Sequence, residues 1–341
     1  MRCRVSVQVR RRIEEELMGK EVKTIGVLTS GGDAPGMNAA IRAVVRKALS
    51  RGLKVKGIHQ GYRGLLNEEI VDFDARSVSD TISKGGTILY TARCHEFRTS
   101  EGQDEGAAIC RKHGIDGLVV IGGDGSFAGA QQLALRGINT IGVPGTIDLD
   151  IACTDYTIGF DTAVNTAMDA IDKVRDTSTS HERCSIIEVM GRNAGYIALW
   201  CGIANGAEDI LLPERYNYDE QELINNIIHN RKRGKKHHII INAEGIGHST
   251  SMARRIEAAT GVETRATILG HMQRGGSPTC RDRVYASVMG AYAADLLCEG
   301  KSNRVVAFRG GEYVDYDIND ALNMQKEISD YMVRVAKAMT I

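Results

Sequence analysis

The sequence predicts an α/β protein with a mostly parallel sheet, organised as two domains or as one large α/β unit. Three observations carry this prediction. From Thr24 onward, short β-branched runs alternate with helical segments, which is the pattern of βαβ units. The chain has 38 glycines but only 5% aromatic residues, a composition typical of parallel sheets whose loops approach ligands through bare backbone. Its 341 residues also suffice for two domains.

Seven apolar runs predict the strands, in the order in which they occur. Each ends in glycine or a polar cluster. They span residues 24–29, 55–59, 117–123, 139–146, 184–191, 237–245 and 265–270. Residues 37–52 repeat apolar side chains at helical spacing and close at Gly52, and residues 124–137 form a second helical segment. Ligands of such folds bind beyond the carboxyl ends of the strands, so the residues after each run are the functional candidates.

Composition excludes several classes of partner. Lysine plus arginine number 43, as do aspartate plus glutamate, so no net charge attracts nucleic acid or an anionic membrane surface. No apolar run reaches the roughly 18 residues of a membrane span. The eight cysteines are scattered without a CxxC pair, which indicates reduced thiols in the cytoplasm. We therefore expect no nucleic-acid partner and no membrane association.

The first 17 residues differ from the rest of the chain. Their arginines suggest a transit peptide. Transit peptides contain few acidic residues, however, and residues 14–16 are all glutamates. Three purine-rich glutamate codons just upstream of Met18 fit a translated ribosome-binding region instead. We expect residues 1–17 to be a non-native or disordered leader and native translation to start at Met18.

Two glycine clusters occupy strand-to-helix turns, one at residues 31–33 and one at residues 122–126. Such turns let backbone N–H groups face an anion, and the helix N-terminus adds partial positive charge. An acid there repels phosphate unless a divalent cation lies between them, so Asp124 is a candidate Mg²⁺ ligand in a nucleotide site. A tight turn with a solvated aspartate is the alternative. The chain has neither a GxxxxGK[ST] P-loop nor a GxGxxG fingerprint in its usual place.

The stretch PGTIDLD, residues 144–150, begins at the end of the fourth run and continues beyond it. If it is extended, period two places Asp148 and Asp150 on one side and Leu149 on the other. A carboxylate that faces a phosphate pocket can accept the proton of an attacking hydroxyl during phosphoryl transfer. A capping or turn aspartate is the alternative.

The remaining strand ends supply bases and one acid. These residues are Met190, Gly191, Arg192, Glu244, His271 and Arg274. Bases beside one carboxylate suit a sugar phosphate, with the bases on phosphate and the acid on a hydroxyl. Each of these charges taken singly also fits a solvated or paired surface group.

Six motifs in order resemble the ATP-dependent 6-phosphofructokinase family of the bacterial type. They are TSGGDAPGMNAAIR, GGDGS, PGTIDxD, DTSTSHER, EVMGR and ETRATILGHMQRGGSP, and the similarity runs from about Thr24 to about Asp317. The resemblance implies two doubly wound, mostly parallel, Rossmann-like domains that face each other across the active site. An ATP-binding domain would comprise residues 18–158 and 273–322, and a sugar-phosphate-binding domain residues 159–272 and 323–341.

The resemblance also implies a role for each matching residue. Asp148 is similar to the base toward the 1-hydroxyl of fructose 6-phosphate, with Thr146 and Arg192 steadying the transferred phosphoryl group. Asp124 matches the Mg²⁺ ligand. The ATP-site positions are Gly32, Arg93, Cys94, Gly123, Asp124, Gly125 and Ser126. The substrate positions are Thr146, Ile147, Asp148, Asp150, Arg183, Met190, Gly191, Arg192, Glu244, Arg265, His271 and Arg274.

The family further implies a homotetramer with active and effector sites shared between subunits. Arg183 and Arg265 match arginines that hold the 6-phosphate in a neighbouring subunit's site. The positions matching the site for ADP or phosphoenolpyruvate are Arg42, Arg46, Arg175, Gly206, Glu208, Arg233 and Lys235. One family arginine of that site is Ala75 here, beside Arg76.

Donor choice rests on two glycines. Pyrophosphate users of the family carry lysine where Gly145 stands and aspartate where Gly125 stands, and either side chain would occupy space that ATP requires. The sequence therefore favours ATP. Two replacements depart from the family, since Leu149 stands for an asparagine and Tyr196 for an aspartate. We expect Leu149 to pack away from substrate.

The leading hypothesis is an allosterically regulated ATP-dependent 6-phosphofructokinase. The alternatives are a kinase that uses pyrophosphate or another sugar phosphate, such as sedoheptulose 7-phosphate, and a weakly catalytic, effector-binding subunit. Retention of Asp124, Asp148 and Arg192 counts against the last.

Overall fold

A computed structural model describes residues 22–215 and 219–339. The leader predicted at residues 1–17 and the start predicted at Met18 lie outside the described residues. Eleven strands are described: β1 Thr24–Thr29, β2 Lys54–Ile58, β3 Ile70–Phe73, β4 Gly117–Gly122, β5 Asn139–Pro144, β6 Cys184–Val189, β7 Asp209–Leu211, β8 His238–Ala243, β9 Thr264–Ile268, β10 Arg304–Arg309 and β11 Glu312–Asp317.

Eleven α-helices connect and cover these strands within the described ranges. They are α1 Met37–Ser50, α2 Gly61–Leu66, α3 Ser100–Lys112, α4 Asp124–Ala134, α5 Phe160–His181, α6 Tyr196–Asn205, α7 Glu220–Lys232, α8 Ser249–Thr260, α9 Cys280–Cys298, α10 Ile318–Asn323 and α11 Asp330–Ala338. None of them is long and apolar enough to cross a membrane.

The chain divides into two units. The first unit comprises the residues up to Thr146, together with Ile151–Gly159 and Gly276–Lys326. The second comprises Ile147–Asp150, Phe160–Gly275 and the residues from Glu327 onward. The four residues that carry Asp148 and Asp150 thus cluster with the second unit.

The first unit is built on a seven-stranded sheet in the order β11-β10-β5-β4-β1-β2-β3. Only the outer pairs, β2 with β3 and β10 with β11, are antiparallel. The central strands β1, β4 and β5 are buried throughout, because helices cover both faces of a parallel sheet. Their burial explains why the sequence shows them as continuous apolar runs rather than alternating ones.

The second unit has a four-stranded, wholly parallel sheet in the order β7-β8-β6-β9. Strand β8 is buried along its length. In the core of the second unit, apolar residues of α7 and α8 pack against β6 and β8. Both sheets confirm the predicted α/β class with mostly parallel strands. The sequence did not predict β3, β7, β10 and β11. Of these, β3, β7 and β11 are edge strands with partly exposed residues, whereas β10 lies beside an edge and is buried only in its middle.

The seven cysteines in the described ranges are free thiols. Burial raises the pKa of Cys110, Cys184 and Cys201 to about 12, so these thiols stay protonated and unreactive.

Candidate active site

Three loops meet at the carboxyl edge of the first unit's sheet. The backbone N–H of Ser30, after β1, donates to the carbonyl of Ile121 at 3.0 Å, and the Ser126 hydroxyl donates to the Ser30 carbonyl at 3.1 Å. The N–H of Gly145, after β5, donates to the carbonyl of Gly122 at 2.9 Å. These bonds bring together the glycine turns that the sequence predicted, as expected for parallel strands whose carboxyl ends share one edge.

Helix α4 begins inside the second glycine turn. Gly123 caps it, and Asp124 and Gly125 form its exposed first turn. A Cβ atom built on Gly123 or Gly125 meets nothing within 4 Å, so the backbone is open to a ligand. An anion placed there faces backbone N–H groups of the first turn and the positive end of the helix dipole. The negative charge of Asp124 also acts on the Cys153 thiol. Burial, and after it the charge of Asp124, raises the pKa of this thiol to about 11.

The donor set of this turn suits a cation held largely by phosphate. The described residues contain no group of three or more histidine, cysteine, aspartate or glutamate side chains that could hold a metal alone. Mg²⁺ commonly binds through one or two carboxylates, with water and substrate phosphate completing its octahedron. The exposed carboxylate of Asp124 fits that arrangement.

Gly145 is enclosed, in contrast to Gly125. Its Cβ would lie 3.0 Å from Cγ2 of Ile121 and 3.1 Å from Cε of Met37. Any side chain at this position must displace its neighbours.

The segment with Arg93 and Cys94 follows a long loop. Arg93 is exposed, and the half-buried Cys94 thiol donates to Glu96 at 3.4 Å. The Thr91 hydroxyl donates to the carbonyl of Gly31 at 2.6 Å, so this loop is tied to the first glycine turn, where Gly32 is exposed. The described geometry therefore brings Gly32 and the start of the Arg93 segment to the same edge as Asp124.

The expectation of an extended stretch from Asp148 to Asp150 is wrong. Leu149 has a φ of 56°, in the left-handed region, and no strand includes it. Asp148 and Leu149 are each 6% exposed, so both side chains are buried rather than opposed, while Asp150 is half-buried. The chain leaves the sheet at Pro144, and the turn that follows overrides the period of two. Ile147 is also buried, and Thr146 is half-buried.

Asp155 has a structural role. Its carboxylate accepts from the N–H of Gly310 at 2.9 Å, in the turn between β10 and β11, and its own N–H donates to the carbonyl of Phe308 at 2.8 Å. Of the closely spaced acids in this part of the sequence, Asp155 therefore stabilises the hairpin formed by β10 and β11.

The carboxyl edge of the second unit's sheet gathers the other candidates. Glu244, after β8, accepts at Oε1 from the N–H of Gly191 at 3.3 Å and from that of Arg192 at 2.5 Å. The Arg192 side chain is exposed. His271 and Arg274 lie in a short 3₁₀ helix, Gly270–Arg274, after β9. Met190, Gly191, Arg192, Glu244 and this helix thus surround the ends of three adjacent strands.

Sequence reasoning missed Gln273, which is fully buried. Its side chain accepts from the N–H of Met190 at 3.3 Å and donates to the carbonyl of Gly270 at 3.2 Å, so it joins the ends of β6 and β9. Its only signal in the sequence is a neutral polar residue between His271 and Arg274.

The family model for phosphofructokinase matches residues 24–297. The chain belongs to the phosphofructokinase family. It is 58% identical over 319 residues to an ATP-dependent 6-phosphofructokinase of Clostridium botulinum, an alignment that covers 94% of this chain and 100% of that one. The corresponding protein of Clostridium novyi, named in the same way, is 56% identical over 319 residues, with 94% and 100% covered.

Solved phosphofructokinases share the fold. The enzyme of Saccharomyces cerevisiae superposes with a TM-score of 0.81 at 33% identity over 94% of this chain, and the chain spans about half (48%) of that longer polypeptide. A pyrophosphate-dependent phosphofructokinase of Marinobacter aquaeolei gives a TM-score of 0.81 at 23% identity, covering 91% of this chain and 86% of that one. The latter likeness concerns the fold alone.

Two arginines that the sequence assigns to a neighbouring subunit's substrate site lie at the amino edge of the second unit's sheet. Arg183 precedes β6 and donates to Glu263 at 2.7 Å, and Arg265 in β9 donates to the same carboxylate at 2.6 Å. Both therefore stand at the amino ends of strands whose carboxyl ends carry Met190 and His271. Arg183 is separated from the carboxyl edge by a six-residue strand of about 20 Å, and the guanidinium group of Arg265 turns back to Glu263, so both charges lie at the amino edge of the sheet.

The positions that match the family's effector site form two groups. In the second unit, Lys235 pairs with Glu208 at 2.6 Å, and Arg175 donates to the carbonyls of Asn205 and Gly206. Arg233, also in that unit, is exposed at the end of α7. In the first unit, Arg42 and Arg46 lie one turn apart on α1, and Ala75 lies in an exposed turn.

Tyr196, the second departure from the family, is the first residue of α6. Burial, followed by the charges of Glu214, Asp150 and Glu327, raises its pKa to about 12. The phenol therefore remains a hydrogen-bond donor among carboxylates at neutral pH.

Proposed function

We propose that the chain is an ATP-dependent 6-phosphofructokinase that transfers the γ-phosphoryl group of ATP to the 1-hydroxyl of fructose 6-phosphate. The product would be fructose 1,6-bisphosphate, and the reaction belongs to glycolysis. The observation that carries the proposal is the open first turn of α4, where the exposed Asp124 stands between glycines at a helix N-terminus. Clostridial relatives with 58% and 56% identity bear the name of this activity.

The first unit is proposed to bind ATP with Mg²⁺. The phosphates would lie against the two glycine turns, with the ribose and base toward Arg93 and Cys94. Asp124 would hold Mg²⁺, which when bound neutralises charge on the β- and γ-phosphates. The space at Gly125 supports ATP over pyrophosphate as the donor, because nothing lies within 4 Å of a Cβ there.

The reaction needs a base and a positive charge on the transferred group. Asp148 would accept the proton of the 1-hydroxyl as that oxygen attacks the γ-phosphorus. Thr146 and the exposed Arg192 would hold the phosphoryl oxygens in line with the leaving ADP. Catalysis in phosphoryl transfer is mainly positioning and charge stabilisation, so few residues suffice.

The second unit is proposed to bind the sugar phosphate. Glu244 would bind a hydroxyl, and His271 with Arg274 would bind phosphate. Arg183 and Arg265 would complete the site of a neighbouring subunit in a homotetramer. Their distance from their own carboxyl-edge cluster supports that assignment. The effector positions would take ADP or phosphoenolpyruvate, and the scattered free thiols support a cytoplasmic location.

A coupled assay tests this proposal. The purified chain is given fructose 6-phosphate and Mg²⁺ with either ATP or pyrophosphate, and fructose 1,6-bisphosphate is measured. We expect product with ATP and none above background with pyrophosphate. Activity with pyrophosphate alone would contradict the donor assignment, and activity only on another sugar phosphate would contradict the acceptor assignment.

A further inference from the structure

Tyr90 combines two features that a solvent-facing tyrosine rarely has together. Its backbone has a φ of 56°, and within the described ranges it is the only tyrosine with a positive φ. Its side chain is 62% exposed. A left-handed backbone conformation is unfavourable for a bulky L residue. Because the ring of Tyr90 is mostly exposed, the free energy gained by burying it does not offset that cost. A strained residue that the surrounding structure holds in place is a candidate for function.

Hydrogen bonds fix the chain on both sides of Tyr90. The carbonyl of Leu89 accepts from the N–H of Gln60 at 2.7 Å, and the carbonyl of Tyr90 accepts from the Thr29 hydroxyl at 2.8 Å. One residue further, Thr91 donates to the carbonyl of Gly31 at 2.6 Å. Leu89 itself is fully buried. The loop thus joins the ends of β1 and β2, and it holds the Tyr90 backbone while leaving the ring in solvent.

A second residue anchors the same loop from α1. The Asn38 side chain, 1% exposed, donates to the carbonyls of Lys84 and Gly85 at 3.0 and 3.1 Å and accepts from the N–H of Ile88 at 2.7 Å. Gly85 has no room for a side chain, because its Cβ would lie 2.3 Å from the carbonyl of Gly276. The loop is therefore rigidly seated, so the position of Tyr90 is defined.

Tyr90 presents an accessible aromatic ring on this edge. Tyr62 and Phe97 lie nearby but stack on each other, with centroids 4.2 Å apart, and are 6% and 5% exposed. His59 meets Tyr90 edge to face with ring centroids 5.6 Å apart, and a single perpendicular neighbour covers at most one face of the phenol ring. Three residues further along the chain is Arg93, an ATP-site position, and the glycine turn proposed for phosphate is bonded to Thr91.

We propose that Tyr90 contacts the nucleoside of the phosphoryl donor and contributes to the choice of a nucleotide over an inorganic phosphate chain. This inference rests on the proposed ATP site of the first unit. Every nucleobase has a flat π face, and aromatic side chains stack on such faces with little dependence on the base. A seated, exposed phenol beside a phosphate-binding turn supplies such a contact, and inorganic tripolyphosphate cannot use it.

Binding measured without the sugar acceptor tests the inference. Dissociation constants of Mg²⁺-ATP and Mg²⁺-tripolyphosphate are determined by calorimetry for the full chain and for Tyr90→Gly and Tyr90→Phe. Glycine adopts the positive φ freely, so Tyr90→Gly removes the ring without straining the loop. Tyr331→Ala, which alters a 69% exposed tyrosine on α11, is the matched control.

We expect the ratio of the two constants, tripolyphosphate over ATP, to fall about 5- to 150-fold in Tyr90→Gly, the range for losing one base–aromatic stack. Tyr90→Phe and the control should keep the wild-type ratio, and the urea midpoint of Tyr90→Gly should be unchanged or higher. An unchanged ratio in Tyr90→Gly overturns the inference, as does equal weakening of both ligands, which would mean that the loop serves phosphate alone.

The coupled assay separates this inference from the proposed function. Failure to phosphorylate fructose 6-phosphate, with the ratio still falling in Tyr90→Gly, would overturn the proposed acceptor and leave Tyr90 as a nucleoside contact. Normal phosphorylation with an unchanged ratio would overturn the inference and leave the proposed function standing.

Discussion

The carboxylate of Glu244 holds the backbone of Arg192, whose N–H donates to it at 2.5 Å. Arg192 has a φ of 57°, an unfavourable conformation for arginine, and the same oxygen also accepts from Gly191. The acid at the end of β8 therefore shapes the loop after β6 as well as being a candidate sugar ligand.

Glu244 substitutions separate these two roles. In Glu244→Gln an amide oxygen can still accept from Arg192, so the loop is kept and only the charge is lost. We expect that variant to raise KM for fructose 6-phosphate while keeping kcat within a few fold. Glu244→Ala releases the Arg192 backbone and should lower kcat by about 10²-fold, as a misplacement of about 1 Å does. Steady-state kinetics of both variants test this, and equal kcat values would contradict a role in shaping the loop.

Asp148 is predicted to be the base. Asp148→Ser should lower kcat by about 10² to 10⁴, the range for loss of general base catalysis, with smaller changes in KM. Asp155→Asn is the matched control, because it removes a carboxylate that is close to Asp148 in the sequence. The amide oxygen of the new asparagine can still accept the hydrogen bond from the Gly310 N–H. The control should keep kcat within about twofold, and near wild-type turnover in Asp148→Ser would remove Asp148 from the mechanism.

The fold was largely predictable because the interior strands of both sheets are buried on both faces. Such strands are continuous apolar runs, and β1, β4 and β8 were predicted to within a residue or two of their bounds. Edge strands such as β11 lack that signal, since half-exposed strands carry polar residues such as Asp315. Their pairing depends on long-range contacts that no local pattern encodes.

The candidate site was predictable where residues directly follow strands, as Asp124 and Glu244 do. It failed at Leu149, where the period-two argument assumed an extended backbone. A positive φ in a leucine has no sequence signature, because residues other than glycine and asparagine rarely adopt it. The buried Gln273 was missed for a similar reason, since its two bonds join residues of different loops.

Donor choice can be tested at Gly125, where added atoms meet open space. Gly125→Asp should fold like the wild type but raise KM for ATP about tenfold or more, because its carboxylate would stand near the phosphates. Gly125→Ala adds only a methyl group at the same place and should keep KM within about twofold. Thermal unfolding of both variants checks the fold, and an unchanged KM in Gly125→Asp would mean that phosphate binds elsewhere.

Arg183 and Arg265 are predicted to act in a neighbouring subunit. Arg183→Ala or Arg265→Ala should raise KM for the sugar phosphate about 10- to 150-fold and change kcat less, as expected for one lost charge-assisted hydrogen bond. Refolding either variant together with Asp148→Ser protein creates hybrids in which one site can have all its residues. Hybrids should exceed both parents in activity; if they never do, the sites are not shared.

The last prediction concerns Leu149, which is buried and strained at once. Its φ of 56° costs about 1 to 2 kcal/mol, a cost that asparagine largely avoids. Its side chain, 6% exposed, contributes about 1.5 to 3 kcal/mol by burial. Leu149→Asn loses that burial and also desolvates an amide, at about 1 to 3 kcal/mol if the amide finds no partner. If the amide finds no partner, the losses exceed the relief of strain, so we expect a net loss of about 0.5 to 5 kcal/mol in the free energy of unfolding.

Leu149→Met is the matched control, since it keeps both the apolar volume and the backbone strain and should cost less than about 1.5 kcal/mol. Urea unfolding and kcat, measured on both variants, decide the role of this residue. If Leu149 only packs, kcat stays near the wild-type value while Leu149→Asn loses stability. If the amide instead orients Asp148 or Asp150 through a hydrogen bond, kcat rises tenfold or more at unchanged stability, and the leucine must then be regarded as a substitution that slows the enzyme.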